Sequence, residues 1–180
     1  MIEGSFLIPA EALRAAQLHE GMQVADFGAG SGFFTREAAR EVGEGGAVWA
    51  VDINRELLSR IKTLAEAEGL KNVEIVQGDA EVVGGTHLPD AHFDLVIASN
   101  ILFAIEDRGE LVAEVRRVLK PHGRALIIDW SGSYNGLGPH EDHVITQAAA
   151  RKLFEDHGFV FGGVAPAGSY HWGFIVRKKT

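Results

Sequence analysis

The chain has 180 residues, of which 46% are hydrophobic and 23% charged, so we expect a single globular domain over residues 1–180 with a substantial core. The formal net charge of −8 makes a nucleic-acid backbone an unfavourable partner. The absence of cysteine excludes disulfides, thiolate metal sites and cysteine nucleophiles. No apolar run approaches the roughly 20 residues that span a bilayer, and no basic secretion signal begins the chain. We therefore expect a cytoplasmic protein without stable membrane anchoring, and we expect it to be a monomer or a homodimer.

Apolar segments alternate with amphipathic ones along the chain, a pattern that predicts a parallel sheet covered by helices on both faces. Helices are predicted, in chain order, at residues 9–19, 33–42, 55–68, 108–119 and 146–157, the first of them within a leading segment 1–20. Strands are predicted at 23–27, 47–52, 73–77, 93–98 and 124–129, followed by an antiparallel pair at 159–164 and 170–176. Residues 130–144, rich in Gly, Ser, His and Pro, are predicted to form an irregular lid over an active site.

The most informative stretch follows the first predicted strand, where Gly28, Gly30 and Gly32 precede a predicted helix. Glycine tolerates positive φ and lets a ligand approach the main chain, and a helix start offers unpaired N–H groups. Asp52 ends the next apolar run, where a carboxylate can accept hydrogen bonds from a ribose diol. This pattern indicates a ligand that contains adenosine, without saying which one.

Two residues favour a cationic ligand over a dinucleotide. Phe33 occupies the place of the third glycine of G-x-G-x-x-G, the glycine that lets the helix pack closely while a pyrophosphate lies at its tip. Asp26 adds negative charge just before the first glycine, which is unfavourable to phosphates. The chain also lacks a Tyr-x-x-x-Lys pair. A nicotinamide-dependent oxidoreductase stays the alternative enzyme class.

Polar residues follow several predicted strands, at the point where each strand ends. Asp79, Asn100 and Asp129 follow the third, fourth and fifth strands, as the glycine turn and Asp52 follow the first two. Ligands of open α/β sheets bind at the carboxyl ends of the strands. These residues are therefore predicted to line one edge of the sheet and to form a single site.

The run from Asp26 to Gly32 resembles motif I of the class I S-adenosylmethionine-dependent methyltransferases. Further matches follow in the same order: Asp52 for the ribose-binding acid, residues 77–80 for the loop that meets the adenine, 93–100 for the fourth strand and 119–124 for the turn into the fifth. The similarity covers residues 20–176 and is nearest to the small-molecule group that includes the ubiquinone/menaquinone methyltransferases. It implies a Rossmann-like three-layer α/β sandwich with a seven-stranded sheet, ordered 3-2-1-4-5-7-6, whose strand 7 is antiparallel.

The resemblance implies S-adenosyl-L-methionine as cofactor and methyl transfer to a small-molecule acceptor. The methionine part of the cofactor would meet the first motif, in which Asp26 would favour the ammonium group. The other residues implied there are Gly28, Ala29, Gly30 and Gly32. A non-catalytic module that keeps the fold and binds the cofactor is the second alternative, because methyl transfer requires few conserved side chains.

The nucleoside part of the cofactor would be held by the second and third strand tips. The resemblance implies that Asp52 binds the ribose hydroxyls and that Ile53 lies beside the adenine. Asp79 would accept from the adenine amino group, and the Ala80 N–H would donate to the ring. Asn100 would lie near the methionine end.

The acceptor side is predicted from three residues of the 130–144 segment. His140 and His143 lie three positions apart, near Tyr134. Histidine is suited to act as a general base because its unperturbed pKa is about 6.5. Without a second spaced pair or a carboxylate pattern, the two histidines do not predict a metal site. An apolar acceptor pocket is predicted from Phe103, Trp130 and Trp172.

Overall fold

The computed structural model describes residues 6–180 and contains one seven-stranded sheet. In chain order the strands are β1 Gln23–Phe27, β2 Ala47–Asp52, β3 Val73–Gln77, β4 Phe93–Ser99, β5 Leu119–Trp130, β6 Phe159–Val164 and β7 His171–Lys178. They lie in the order β3-β2-β1-β4-β5-β7-β6. The first five pair in parallel, and β7 runs antiparallel to both β5 and β6. The predicted strand order and the antiparallel strand are confirmed.

Among residues 6–180, five α-helices connect or flank these strands: α1 Pro9–Ala15, α2 Phe33–Val42, α3 Arg55–Ala67, α4 Arg108–Val118 and α5 Gln147–Asp156. Three of them begin at a side chain that accepts a hydrogen bond from the first turn. Asn54 caps α3, Asp107 caps α4 and Thr146 caps α5. These caps satisfy amide groups that a helix start leaves unpaired, which fixes where each helix begins.

The apolar core lies on both faces of the sheet, as the alternation of side chains along β1 shows. Val24 packs in the cluster that contains residues of α1, α2 and α3. Ala25 and Phe27 pack in the opposite cluster, which contains residues of α4 and α5. Because successive strand residues point to opposite faces, β1 is buried from both sides. The predicted three-layer sandwich is confirmed.

The leading helix ends earlier than predicted, at Ala15 rather than His19. Gln17 adopts a left-handed conformation with φ of 56°. The Leu18 N–H then donates to the Leu13 carbonyl at 3.1 Å, the long backbone bond that commonly closes a helix. Residues 1–5 of the predicted leading segment lie outside the described residues.

The fifth strand begins earlier than predicted, at Leu119 rather than Arg124. Phe93 pairs with Leu119 and Leu95 with Arg124, so the residues between them on β5 form a bulge. His122 lies in this bulge with φ of 64°. The family resemblance had implied a turn into the fifth strand at residues 119–124, whereas the structure includes these residues in β5 as an irregularity of register.

Candidate active site at the carboxyl edge of the sheet

The three glycines of the turn between β1 and α2, Gly28, Gly30 and Gly32, differ in the space around them. All three have positive φ, from 53° to 75°. A Cβ on Gly28 would lie 2.8 Å from Ile101 Cδ1, and one on Gly32 would lie 2.7 Å from Ile61 Cγ1. At Gly30 the nearest atom to such a Cβ is a backbone oxygen 3.8 Å away. Two glycines therefore allow the protein to pack against itself, while Gly30 leaves its backbone open to a ligand.

Asp52 at the end of β2 is tied directly to this turn. The Gly30 N–H donates to Asp52 Oδ2 at 3.0 Å, and the Asn54 N–H donates to Oδ1 at 2.9 Å. An ionised carboxylate has about four acceptor sites, so two bonds leave capacity for a ligand. The neighbouring side chain of Ile53 is 69% exposed. The acid predicted for the ribose is thus positioned by the turn predicted for the methionine part.

Asp26 is a buried acid at the end of β1. Its Oδ2 accepts a hydrogen bond from the Thr35 hydroxyl at 2.6 Å. Burial raises the pKa of Asp26 to about 7; the Thr35 hydrogen bond lowers it and the negative charge of Asp52 raises it further. A cationic ligand group beside this carboxyl would therefore favour its ionised form.

Two cavities meet at Gly28 and contain the predicted cofactor residues. The larger one, about 690 Å³, is lined by Asp26, Gly28, Ala29, Gly30 and Asn100 among others. The smaller one, about 140 Å³, is lined by Gly28, Asp52, Ile53, Asp79 and Ala80 among others. Gly32 lines neither cavity, since it packs against α3. The strand ends thus come together at one edge, with the residues predicted for the methionine part and for the nucleoside in adjoining cavities.

The tips of β4 and β5 are fixed to each other. Asn100 adopts a left-handed conformation with φ of 55°, and its N–H donates to the Ile128 carbonyl at 2.9 Å. Asp129 accepts from the Trp130 N–H at 2.7 Å and from the Phe103 N–H at 3.3 Å. Burial raises the pKa of Asp129 to about 6, against the lowering effect of these backbone bonds. Asp129 anchors the segment after Asn100 and does not line the larger cavity.

The loop that carries Asp79 is held by a buried acid that the sequence analysis missed. Glu114 of α4 has no exposed surface and accepts from the Gly84 N–H at 2.7 Å and from the Thr86 hydroxyl. The guanidinium group of Arg117 forms an ion pair with Glu114, with 2.7 Å between Nη2 and Oε1. Burial alone would raise the pKa of Glu114, but these bonds outweigh it and lower the pKa. A signal was available, because Glu114 interrupts the apolar face of its helix.

Comparison with known proteins decides the family. Residues 18–159 match the family model of the methyltransferase domain. The chain belongs to this methyltransferase family. The prediction of a class I S-adenosylmethionine-dependent methyltransferase fold and cofactor is thereby confirmed at the level of the family, and the nicotinamide alternative is set aside.

Individual relatives agree with the family. The ubiquinone/menaquinone biosynthesis C-methyltransferase UbiE of Laribacter hongkongensis is 33% identical over 130 residues, which are 72% of this chain and 52% of that protein. The chain spans about half the length of the curated relatives that it matches. The crystal structure of a SAM dependent methyltransferase from Aquifex aeolicus has a TM-score of 0.85 and 29% identity, and covers 96% of this chain and 90% of its own.

The fold by itself does not set the reaction at the acceptor. The [4+2]-cyclase SpnF has a TM-score of 0.80 with 15% identity, and covers 96% of this chain and 80% of its own. At that identity the likeness shows the fold alone. The chemistry at the acceptor therefore depends on the individual residues that line the larger cavity.

Much of the lining of the larger cavity is apolar. Its apolar side chains come from the segment before β1, the start of α2 and the end of β5: Phe6, Leu7, Ile8, Pro9, Phe33, Phe34 and Trp130. Of the three residues predicted for an acceptor pocket, Trp130 alone is among the lining side chains. Trp172 is buried, and its Nε1–H donates to the Ile145 carbonyl at 2.9 Å.

The three predicted acceptor-side residues do not line this cavity. The His140 side chain is 75% exposed, with its Nδ1 3.2 Å from Asp142. His143 is exposed, and the Tyr134 hydroxyl bonds to Ser131 Oγ at 2.6 Å. Their role in catalysis stays a prediction. A histidine that does line the cavity is His171, which the sequence analysis did not assign to the acceptor side.

Residues 131–144, the part of the predicted lid segment 130–144 that follows β5, contact aromatic side chains near the larger cavity. Gly138 lies against the indole of Trp130, where a Cβ would come within 2.8 Å of Cε3. The ring of Tyr134 meets that of Tyr170 edge-on, with centres 5.1 Å apart. The segment supports the aromatic wall, and its action as a lid stays a prediction.

The part of the chain that the structure describes contains neither a candidate membrane-spanning helix nor a candidate metal site. Among residues 6–180, no helix is both long and apolar enough to cross a membrane. Over the same residues, His, Asp and Glu side chains form no group of three that could hold a metal ion.

Proposed function

We propose that this chain is an enzyme that transfers the methyl group of S-adenosyl-L-methionine to a small, largely apolar acceptor in the larger cavity. Two adjoining cavities, which share Gly28 as a lining residue, carry the proposal. On one side, Asp52 and Ala80 line the smaller cavity, of about 140 Å³. On the other, the buried acid Asp26 faces a larger cavity with an apolar wall.

The residues present suit the cofactor. Gly30 offers an open backbone, and Asp52 retains free acceptor capacity beside it. Asp26, with a pKa of about 7, gains a counter-ion from an ammonium or sulfonium centre. When bound, the cofactor supplies an electrophilic methyl group on a positively charged sulfur whose leaving form is neutral.

The chain contributes alignment and exclusion of water. Strand tips fixed by backbone hydrogen bonds, such as Asn100 to Ile128, hold the cofactor side rigidly. Holding two reactants in line produces effective molarities of about 10⁵–10⁸ M in favourable cases. Phe34 and Trp130, which also line the larger cavity, would exclude water from the place where the acceptor would lie.

The character of the cavity supports the class of acceptor. Phe6, Ile8 and Phe33 line it and are 68%, 48% and 65% exposed, so its mouth is apolar as well. Large exposed apolar side chains gathered at one opening are typical of a ligand site. The net charge of −8 supports a small molecule over a nucleic acid. The UbiE relatives are named for ubiquinone/menaquinone biosynthesis, which agrees with an apolar acceptor.

Two measurements test this function. Titration calorimetry should show binding of S-adenosyl-L-methionine and none of NAD. Incubation with the methyl-labelled cofactor and a fractionated metabolite extract should give a labelled small molecule. Cofactor binding without a labelled product from any fraction would favour a non-catalytic module, and binding of NAD instead would contradict the proposal.

A further inference from the structure

His171 is the first residue of β7 and pairs with Trp130 of β5. His171 is among the residues that line the larger cavity, and its imidazole lies beside the indole of Trp130, with ring centres 4.3 Å apart and planes inclined by 36°. Both ring nitrogens are buried, and neither has a hydrogen-bond partner in the part of the chain that is described. Buried polar atoms without partners are rare, because their desolvation is uncompensated. The two nitrogens therefore indicate a missing partner.

We propose that His171 recognises the methyl acceptor, through a hydrogen bond between an imidazole nitrogen and a hydroxyl group of the acceptor. This inference rests on the proposed methyltransferase function and adds the polar contact on the acceptor side. It places a histidine of the acceptor side on β7, whereas the sequence analysis had placed its candidate general bases, His140 and His143, in the segment after β5.

The position of His171 in the sheet favours the acceptor over the cofactor. The cofactor residues lie at the tips of β1, β2, β3 and β4, whereas β7 lies beyond β5. With about 4.8 Å between neighbouring strands, three intervals place β7 roughly 14 Å from β1.

The chemistry of the surroundings fits a hydroxyl group on a flat ring. Burial lowers the pKa of His171 below its ordinary value, which favours the neutral imidazole. A neutral imidazole has one N–H donor and one acceptor nitrogen, and a hydroxyl group can serve either. The indole of Trp130 beside it offers an aromatic surface for stacking. A neutral polar group next to an aromatic wall selects an apolar ring with one such substituent.

The test compares the affinities of two probes that share one ring system and differ by a single hydroxyl group. The whole chain is first saturated with S-adenosylhomocysteine, the demethylated cofactor. 2-Naphthol carries a hydroxyl group and naphthalene does not. By calorimetry the wild-type protein should bind 2-naphthol about tenfold more tightly than naphthalene. His171→Phe keeps an aromatic ring beside Trp130 and should bind both equally, while His171→Gln should keep part of the preference. The matched control is His19→Gln, an exposed histidine before β1, which should behave as wild type.

The melting temperature separates recognition from a role in folding. His171→Phe replaces an unpaired buried polar ring with an apolar one, so its melting temperature should be unchanged or higher. Loss of the probe preference without loss of stability is the expected result. Equal affinity of the wild type for both probes, failure of 2-naphthol to bind below its solubility limit, or an intact preference in His171→Phe would overturn the proposal. Failure of the wild type to bind S-adenosylhomocysteine, measured first, would contradict the proposed function itself.

Discussion

Asp52 accepts a hydrogen bond from the Gly30 N–H at 3.0 Å and also lines the smaller cavity, where we propose that the ribose binds. Asp52→Ala should weaken binding of S-adenosyl-L-methionine by about 10- to 100-fold, since a charge-assisted hydrogen bond contributes roughly 1.5–3 kcal/mol. Asp52→Asn keeps one oxygen for Gly30 and should lose less. Titration calorimetry measures both, with the exposed Asp156→Ala as control. Unchanged affinity in Asp52→Ala would contradict the placement of the ribose.

Gly30 and Gly32 should respond differently to substitution, although both have positive φ. Gly30→Val should nearly abolish cofactor binding, since its side chain enters the open space that the ligand needs. In Gly32→Ala the added Cβ would clash with the Ile61 side chain. We expect the free energy of unfolding to fall by about 2–4 kcal/mol, because of overpacking and of strain in the left-handed conformation. Denaturant unfolding and calorimetry on both variants separate the two effects. Equal effects on binding and stability in the two variants would be inconsistent with this division.

Asp26 couples cofactor binding to pH. Its pKa of about 7 in the free protein means that it is largely protonated at pH 6. A cationic ligand favours the carboxylate, so binding releases a proton, and affinity rises as pH increases through 7 and levels off above it. We expect affinity about tenfold weaker at pH 6 than at pH 8. Calorimetry in buffers of different ionisation enthalpy measures the released proton. Asp26→Asn should flatten the dependence of cofactor affinity on pH. The same dependence in this variant as in the wild type would assign the proton to another group.

At the scale of elements, α4 positions the loop that carries Asp79. Glu114→Ala leaves Arg117 without its buried partner and should lower the unfolding free energy by about 3 kcal/mol. It should also speed amide exchange of the residues around Gly84 and Thr86, whose groups donate to Glu114. Glu110→Ala, an exposed site on the same helix, is the control. Protection of the loop equal to wild type in Glu114→Ala would show that other contacts hold it.

The sequence predicts most elements well because their signals are local. Asn54 as cap and Gly69 as stop mark α3, and the structure follows them closely. The misses arise where tertiary contacts override a local signal. Gln17 ends α1 in a left-handed conformation that glutamine rarely adopts, and pairing with β4 extends β5 back to Leu119 through a bulge. Nothing within a few residues of either position indicates these outcomes.

For the whole molecule, the cofactor side and the acceptor side differ in how far the sequence predicts them. The residues after β1 to β4 follow from a rule of the fold, since parallel strands bring their carboxyl ends to one edge. His171 follows from no such rule, because it reaches the cavity only through the antiparallel pairing of β7 with Trp130 on β5. The exposed His140 and His143 were favoured instead because they share a loop with polar neighbours.

The measurement that tests the central claim most directly is a crystal structure of the protein with S-adenosylhomocysteine. We expect the ribose diol within hydrogen-bonding distance of Asp52, the amino acid part against Gly28 and Gly30 beside Asp26, and the adenine between Ile53 and Ala80. The apolar part of the larger cavity, with His171 and Trp130, should stay open for an acceptor. A nucleoside bound elsewhere, or an amino acid part lying against His171, would contradict the assignment.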